Sequence, residues 1–352
     1  MKRLLIFLLL FPVPLAAQSL ESRIAEADQY IQTFFDDKNL PGMSVSIFYE
    51  DTMVFSKGYG FADIESKTIV DPALTKFRIG SVSKTLTAAA LGTLMDKDML
   101  DPDTIIQTYV PHFPEKEYPI TVRQVSGHIA GIRHYRGIEF MSSRLYETVD
   151  EGLTIFQDDP LLFEPGTQYS YSSYGWNLIS AVVEGASEEE FLGYMKQYVF
   201  DPLGMVNTVP EWSNREIPHL TSFYVPDGDD NEIAPFVDNS YKWAGGGFVG
   251  TTDDLIRFGV AHLDYDFIGE ESQSELMFPL ELTNGESTNY GMGWRLWEHN
   301  GNFWVGHSGG SVGGSTMFMM NKQHRMIIAY TINRSSVGFD GLHFRLADIF
   351  IE

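Results

Sequence analysis

Ser81 and Lys84 stand three residues apart in FRIGSVSKTLTAAAL (77–91), where a run of apolar and small residues begins. Residues three or four apart share one face of a helix, so a hydroxyl and an amine at this spacing can meet. A serine there also has a purely structural use, because a hydroxyl before an apolar-periodic run can accept from the orphan N–H groups of a helix start. Two later stretches place polar groups at the ends of elements. FEPGTQYSYSSYGWNLIS (163–180) carries Tyr171, Ser172 and Ser173 at the mouth of a predicted helix, after a Pro-Gly turn. VGHSGGSVGG (305–314) sets His307, Ser308, Gly309 and Gly310 in a glycine-rich turn expected between two strands. Taken singly, these are a helix cap, a core-edge tyrosine and a turn histidine. Their order along one chain is what points to chemistry.

The elements that must hold these residues can be read from periodicity. Ile24, Ala27, Ile31, Phe34 and Phe35 recur at helical spacing over 21–37. After the Pro41-Gly42 turn, Met43, Val45, Ile47 and Tyr49 alternate as in a half-buried strand, with VFSKGYGF (54–61) as its hairpin partner. The helix opened by Ser81 continues through Leu86, Ala90 and Leu94. From about 100 to 225 the pattern reads as mainly helical, and VPDGDDNEIAP (225–235) as a loop. Strand patterns return in YGMGWRLW (290–297), FWVG (303–306), STMFMMN (315–321) and MIIAYTIN (326–333), before a last amphipathic helix with Leu342, Leu346 and Ile349. Short turns between consecutive strands favour antiparallel pairing. The expectation is an α+β fold: an antiparallel sheet of about five strands drawn from both termini, flanked by helices, with a helical lobe inserted and a cleft between the lobes.

Composition narrows the function classes. MKRLLIFLLLFPVPLAA (1–17) has a basic start, a short apolar core and a small-residue end, the pattern of a secretory leader and too short for a membrane span. An exported protein, periplasmic or extracellular and without stable membrane insertion, is therefore expected. The chain has no cysteine, hence no disulfide framework and no thiol nucleophile. A formal charge of −24 argues against nucleic acid, which needs clustered Lys and Arg. The pattern carries no indication of oligomeric state.

Competing chemistries fit the residues poorly. GHSGG (306–310) and GGSVG (309–313) match Gly-x-Ser-x-Gly, but that elbow needs a helix after it and an Asp and His well downstream. Here two predicted strands follow, and Asp340 and His343 lie only three residues apart. His128 and His134 lack the one-turn spacing of a His-Glu-x-x-His zinc helix, and fit better as organisers of a cleft wall or of the loop after the first helix. Asp253 and Asp254 suit a helix start. No metal and no cofactor are expected. WAGGG, with Trp243, fits either a cleft border or close backbone packing.

In this order the three motifs resemble those of the penicillin-recognising serine hydrolases: class C beta-lactamases, D-Ala-D-Ala carboxypeptidases and related esterases. PITVRQVSGHIAGIRHY (119–135), FDPLGMVNT (200–208) and GGGFVGTTDDLIRFG (245–259) look like stretches of the same family. VDNSYKWAGGGF (237–248), with GIRHY and YSS, most resembles the mitochondrial beta-lactamase-like serine protease branch. The resemblance implies a beta-lactamase/transpeptidase-like fold in one catalytic domain over 18–352, with a sheet lobe of about 20–95 and 235–352 and a helical lobe of about 96–234. It implies Ser81 as a nucleophile that forms an acyl-enzyme, Lys84 as general base, Tyr171 as proton relay, and His307 in the cleft where many relatives carry the lysine of Lys-Thr-Gly. The oxyanion hole would be the backbone N–H groups of Ser81 and Gly310, with Ser173, Ser308, Gly309 and Trp243 contacting substrate. Lysine serves as a base only if its pKa falls from about 10.4; three units correspond to about 4 kcal/mol, a shift that burial can supply.

Ser173 stands where many relatives have asparagine, and a hydroxyl cannot offer an amide's paired donor and acceptor. That substitution points away from efficient beta-lactam hydrolysis. A peptidase or amidase is expected first, then a carboxylesterase, then a beta-lactamase, acting on a small peptide, peptidoglycan-like or ester substrate. A penicillin or peptidoglycan sensor that is acylated without turnover is the non-enzymatic alternative.

Overall fold

Ser19 caps the first helix, its hydroxyl accepting from the Ser22 N–H at 3.2 Å. It opens the part of the chain described by a computed structural model, residues 19–351; the leader read over 1–17 lies outside it. Helix α1 (Leu20–Asp37) buries Ala27, Ile31 and Phe34, one face of its turns. Strands β1 (Gly42–Tyr49), β2 (Thr52–Asp63) and β3 (Thr68–Ile69) follow, then helix α2 (Ser83–Met95). Helix α3 (Ser173–Ser187) and helix α4 (Thr252–Ala261) lie further along. The C-terminal part supplies β4 (Arg295–His299), β5 (Asn302–Ser311), β6 (Gly314–Asn321), β7 (Met326–Ile332) and helix α5 (Leu342–Ile351).

These strands form one seven-stranded sheet in the order β3-β2-β1-β7-β6-β5-β4. Every pairing is antiparallel, and the β1–β7 register, with Ile47 opposite Ile328, joins the two ends of the chain. The sheet has two strands more than the five expected. β3 spans two residues, too few to show a period of two. The 290–297 stretch begins pairing only at Arg295, and β4 turns through Asn300-Gly301 into β5.

Both faces of the sheet are covered. Met317, Met319, Ile328 and Tyr330 pack with α1 and α5, whereas Phe318, Met320, Ile327 and Ala329 pack with α2 and α4. Alternate residues of one strand therefore serve opposite cores, which is why β7 reads as an unbroken apolar run, as strands buried on both faces do. Helix α2 is enclosed all round: every residue from Ser83 to Leu94 is buried. Its threonines remain satisfied there, Thr85 and Thr93 donating to carbonyls of their own turn and Thr87 to the Ala244 carbonyl.

Two expectations for the middle of the chain need correction. Residues 100–225 are not mainly helical: short helices are strung through irregular chain, and only α3 and the continuous helical stretch over 191–200 exceed five residues. Pro and Gly punctuation cuts most of the other periodic runs short. The 225–235 stretch is a hairpin and not a loop, Tyr224–Asp227 pairing with Asp230–Ile233 around a turn that Gly228 makes with φ +58°.

Candidate active site

Gly80–Val82 form a single 3₁₀ turn that leads directly into α2. Ser81 makes no side-chain capping bond there; its hydroxyl instead meets the Lys84 Nζ at 3.1 Å. The cap reading is thus excluded by the partner the hydroxyl has. Gly80 adopts φ +51°, and a Cβ on it would come within 2.8 Å of both the N and the O of Gly310. The turn is therefore pressed against the half of β5 that β4 leaves unpaired, since β4 covers only Asn302 to Gly306. A Cβ on Gly309 would overlap the Ile79 carbonyl oxygen and lie 3.2 Å from the Ser81 N. Two glycines at one crossing are what let the Ser81 turn and the strand touch through backbone alone.

Lys84 is buried, and its Nζ contacts three oxygens: Ser81 Oγ at 3.1 Å, Ser173 Oγ at 3.2 Å and the Gly245 carbonyl at 2.6 Å. No carboxylate pairs with it among the described residues. Burial holds its pKa well below the ordinary lysine value, and the nearby charge of Lys242 adds to the shift. As a neutral amine it can donate its two protons to Gly245 and Ser173 and accept the Ser81 hydroxyl proton on its lone pair.

Tyr171 lies with its ring centroid 4.9 Å from Lys84 Nζ. Its buried hydroxyl has no hydrogen-bond partner among the described residues. Burial pushes the phenol above its ordinary pKa, and Ser81, close by, opposes part of that rise. It stays a neutral phenol at physiological pH. His128 packs on it at 4.3 Å between centroids, and the Ser172 N–H donates to His128 Nδ1 at 3.1 Å, which places the imidazole proton on Nε2. His134 is held the same way by the Ser173 N–H at 3.1 Å; burial, then the charges of Lys84 and Lys242, bring its pKa down to about 4. His134 lines the cavity over Ser81, whereas His128 is buried behind Tyr171 and does not reach that cavity.

His307 does not line the cleft. Its Nδ1 lies 2.6 Å from the Ser308 carbonyl, which can only accept, so Nδ1 carries the proton; Nε2 then accepts from the Tyr290 hydroxyl at 2.9 Å. Both nitrogens are occupied, the ring is buried, and its centroid is 6.1 Å from Tyr171. Burial, followed by the Lys84 charge, lowers its pKa to about 3. An imidazole so engaged cannot take up a substrate carboxylate as a lysine would. Tyr290, which makes this arrangement, was not distinguishable in sequence from any other strand-end tyrosine. The expected glycine-rich turn is also relocated: His307 to Gly310 lie inside β5, and the turn is at Val312-Gly313.

A cavity of about 360 Å³ opens over Ser81, bounded by His134, Tyr135, Phe140, Tyr171, Ser173 and Gly310, with Lys242, Gly245 and Gly246 on the remaining side. Ser81, Tyr171, Ser173 and Gly310 are brought together as expected. Trp243 is not among them. It turns away and packs on Trp212, ring centroids 4.7 Å apart, in a separate cavity with Val149 and Glu184. Consecutive residues of one turn point in different directions, so Lys242 faces the cleft where Trp243 was expected. Ser308 and Gly309 border an adjoining cavity with Val225 and Val337, which meets the first at Gly310 and Phe140.

The chain is similar to known proteins along nearly its whole length. The beta-lactamase family model matches residues 27–349. The mitochondrial serine beta-lactamase-like protein LACTB of Mus musculus is 28% identical, over 96% of this chain and 82% of its own. In fold, the penicillin-binding protein homologue from Pyrococcus abyssi superposes with a TM-score of 0.80 at 22% identity, covering 93% of this chain and 77% of that one. The D-amino acid amidase of Ochrobactrum anthropi, solved with L-phenylalanine amide, superposes at 0.77 and 20% identity, covering 92% and 98%. With the Ser-x-x-Lys pair at the junction of sheet and buried helix, and with the family match spanning nearly the whole described chain, this protein belongs to the beta-lactamase family of serine hydrolases.

Proposed function

We propose that Ser81 is an acylating nucleophile and that the chain cleaves amide or peptide bonds of small substrates through an acyl-enzyme. One observation carries the reading: the Ser81 hydroxyl sits 3.1 Å from an amine that is buried without a carboxylate partner. In the first step the Ser81 proton passes to the Lys84 lone pair while Oγ bonds the substrate carbonyl carbon. The carbonyl oxygen becomes an oxyanion held by the backbone N–H groups of Ser81 and Gly310, donors each worth about 3 to 4 kcal/mol. Collapse breaks the C–N bond, and the departing amine takes its proton by way of the Tyr171 phenol, which is re-protonated from Lys84. Water then attacks the ester carbon, giving its proton back along the same groups and releasing the acid and the Ser81 hydroxyl. The phenol is suited to relay because it stays neutral and its hydroxyl is not committed elsewhere.

Ser173 is engaged with Lys84 and has no amide to orient a beta-lactam side chain, which favours acyclic amides over antibiotics as substrates. The fold shared with the Ochrobactrum anthropi amidase is in keeping with that preference. The test is intact-mass analysis after treatment with a fluorophosphonate, and separately with penicillin. A single adduct, lost in Ser81→Ala and kept in Ser308→Ala, is expected. Labelling that follows Ser308, or no labelling, sinks the reading; a lasting penicillin adduct would support a sensor in place of a hydrolase. Export after removal of residues 1–17 is part of the same proposal, supported by their composition. It is checked by N-terminal sequencing of the protein recovered from each cell fraction.

A further inference from the structure

We propose that Lys242 forms an anion subsite beside Ser81, so that the enzyme selects substrates carrying a carboxylate next to the cleaved bond. This rests on Ser81 being the nucleophile. Lys242 is 4% exposed and lines the same cavity as Ser81, Tyr171 and Gly310. Among the described residues its amine has no hydrogen bond and no ion pair. Three aromatic rings surround it, with centroids 5.4 Å (Tyr241), 5.5 Å (Phe140) and 5.7 Å (Tyr135) from Nζ.

Ring faces attract a cation but accept none of its three N–H donors in the way an oxygen does. The acid whose charge reaches it, Glu211, is already committed. Glu211 accepts from the Arg78 guanidinium at 2.5 to 2.9 Å and from Asn239 Nδ2 at 2.7 Å. No aspartate or glutamate lines the cavity, although the chain as a whole carries a formal charge of −24. An ammonium buried without a counter-ion is costly unless something pairs with it. Lys242 lines the cavity over Ser81, so a substrate anion bound there can supply that partner.

Lys242 also has the charge the proposal needs. Burial and the neighbouring Arg78 bring its pKa down to about 8, with Glu211 opposing, so it is protonated at neutral pH. The other basic groups of the cleft are poorer candidates: His134 is neutral and Lys84 is depressed and turned to Ser81. His307, which might have done this work from the third motif, is closed off by Tyr290 and its neighbour's carbonyl. The acidic surface repels anions at long range, so selection must come from a short-range, desolvated contact such as this one.

The test uses alkyl boronic acids of graded chain length, each made as a matched pair ending in a carboxylate or the isosteric carboxamide. Their dissociation constants are measured by calorimetry on the wild type, Lys242→Met and Lys242→Arg. The ratio within a pair cancels any change in Ser81 reactivity that follows from losing a charge near Lys84. For at least one chain length the carboxylate should bind the wild type at least about tenfold tighter, the scale of a charged hydrogen bond. Lys242→Arg should keep most of that ratio, and Lys242→Met should bring it close to one. A ratio near one in the wild type at every length, or a ratio that survives in Lys242→Met, overturns the proposal. Fluorophosphonate labelling of Ser81 in the same samples separates the two readings. Labelling without charge preference removes only the subsite, whereas no labelling removes the hydrolase reading beneath it.

Discussion

Gly80→Ala tests whether the crossing of the Ser81 turn and β5 sets the reaction geometry. Two costs can be worked from the structure. Gly80 has φ +51°, where an alanine is disfavoured by roughly 1–2 kcal/mol. Its new Cβ would also sit 2.8 Å from the N and O of Gly310, and ordinary contact begins near 3.4 Å, so the turn and strand must part by about 0.6 Å. Both neighbours are backbone and cannot rotate aside. Overpacking of this kind costs typically about 1–3 kcal/mol, so the variant should lose roughly 2–5 kcal/mol in all. The same displacement pulls the Gly310 N–H from the oxyanion position, where a misplacement near 1 Å costs on the order of 10²-fold. A fall in the fluorophosphonate labelling rate of between about tenfold and a hundredfold is expected.

The assay is intact-mass labelling against time, with urea unfolding on the same preparation. Gly310→Ala provides the stability comparison, since a Cβ there meets no heavy atom within 4 Å and should leave the unfolding midpoint near wild type. If Gly80→Ala loses stability but labels at the wild-type rate, the assignment of Gly310 to the oxyanion hole is wrong. If it is as stable as wild type, the close approach itself is wrong.

Lys84→Met should slow labelling by about 10²- to 10⁴-fold, the usual worth of a positioned base, with the unfolding midpoint separating this from misfolding. In the wild type the labelling rate should rise with pH through the depressed Lys84 pKa, because only the neutral amine accepts the serine proton. That limb should lie well below the ordinary lysine value and move upward in Lys242→Met, which removes a like charge. No limb from His134 or His307 is expected near pH 6.5, since both are neutral down to about 4 and about 3. Tyr290→Phe removes the donor to His307 Nε2 and should cost about 1–3 kcal/mol in urea unfolding while labelling at Ser81 continues. A large rate loss at unchanged stability would instead give His307 a place in the chemistry. Glu211→Ala leaves the buried Arg78 guanidinium without its carboxylate and should destabilise by about 3–5 kcal/mol, read in the same unfolding assay.

What was legible in the sequence was whatever depends on neighbours along the chain. The Ser81–Lys84 contact follows from helical spacing, α1 from its apolar face, and the strands β1, β2, β6 and β7 from runs whose side chains must be buried on one or both faces. Motif order placed Ser81, Lys84, Tyr171, Ser173 and Gly310 in one cleft, because that order is imposed by how this chain threads sheet and helices. Contacts between distant segments were not legible. The occupation of His307 by Tyr290, seventeen residues earlier, depends on how the chain before β4 folds back on β5, and no local pattern encodes it. The choice between Lys242 and Trp243 was decided by a rotation of a single short turn, which sends adjacent side chains into different cavities. Lys84's lowered basicity is likewise a tertiary property. Spacing puts the amine beside the hydroxyl, but only the packing of α2 on every side removes the water and the counter-ions that would keep it charged.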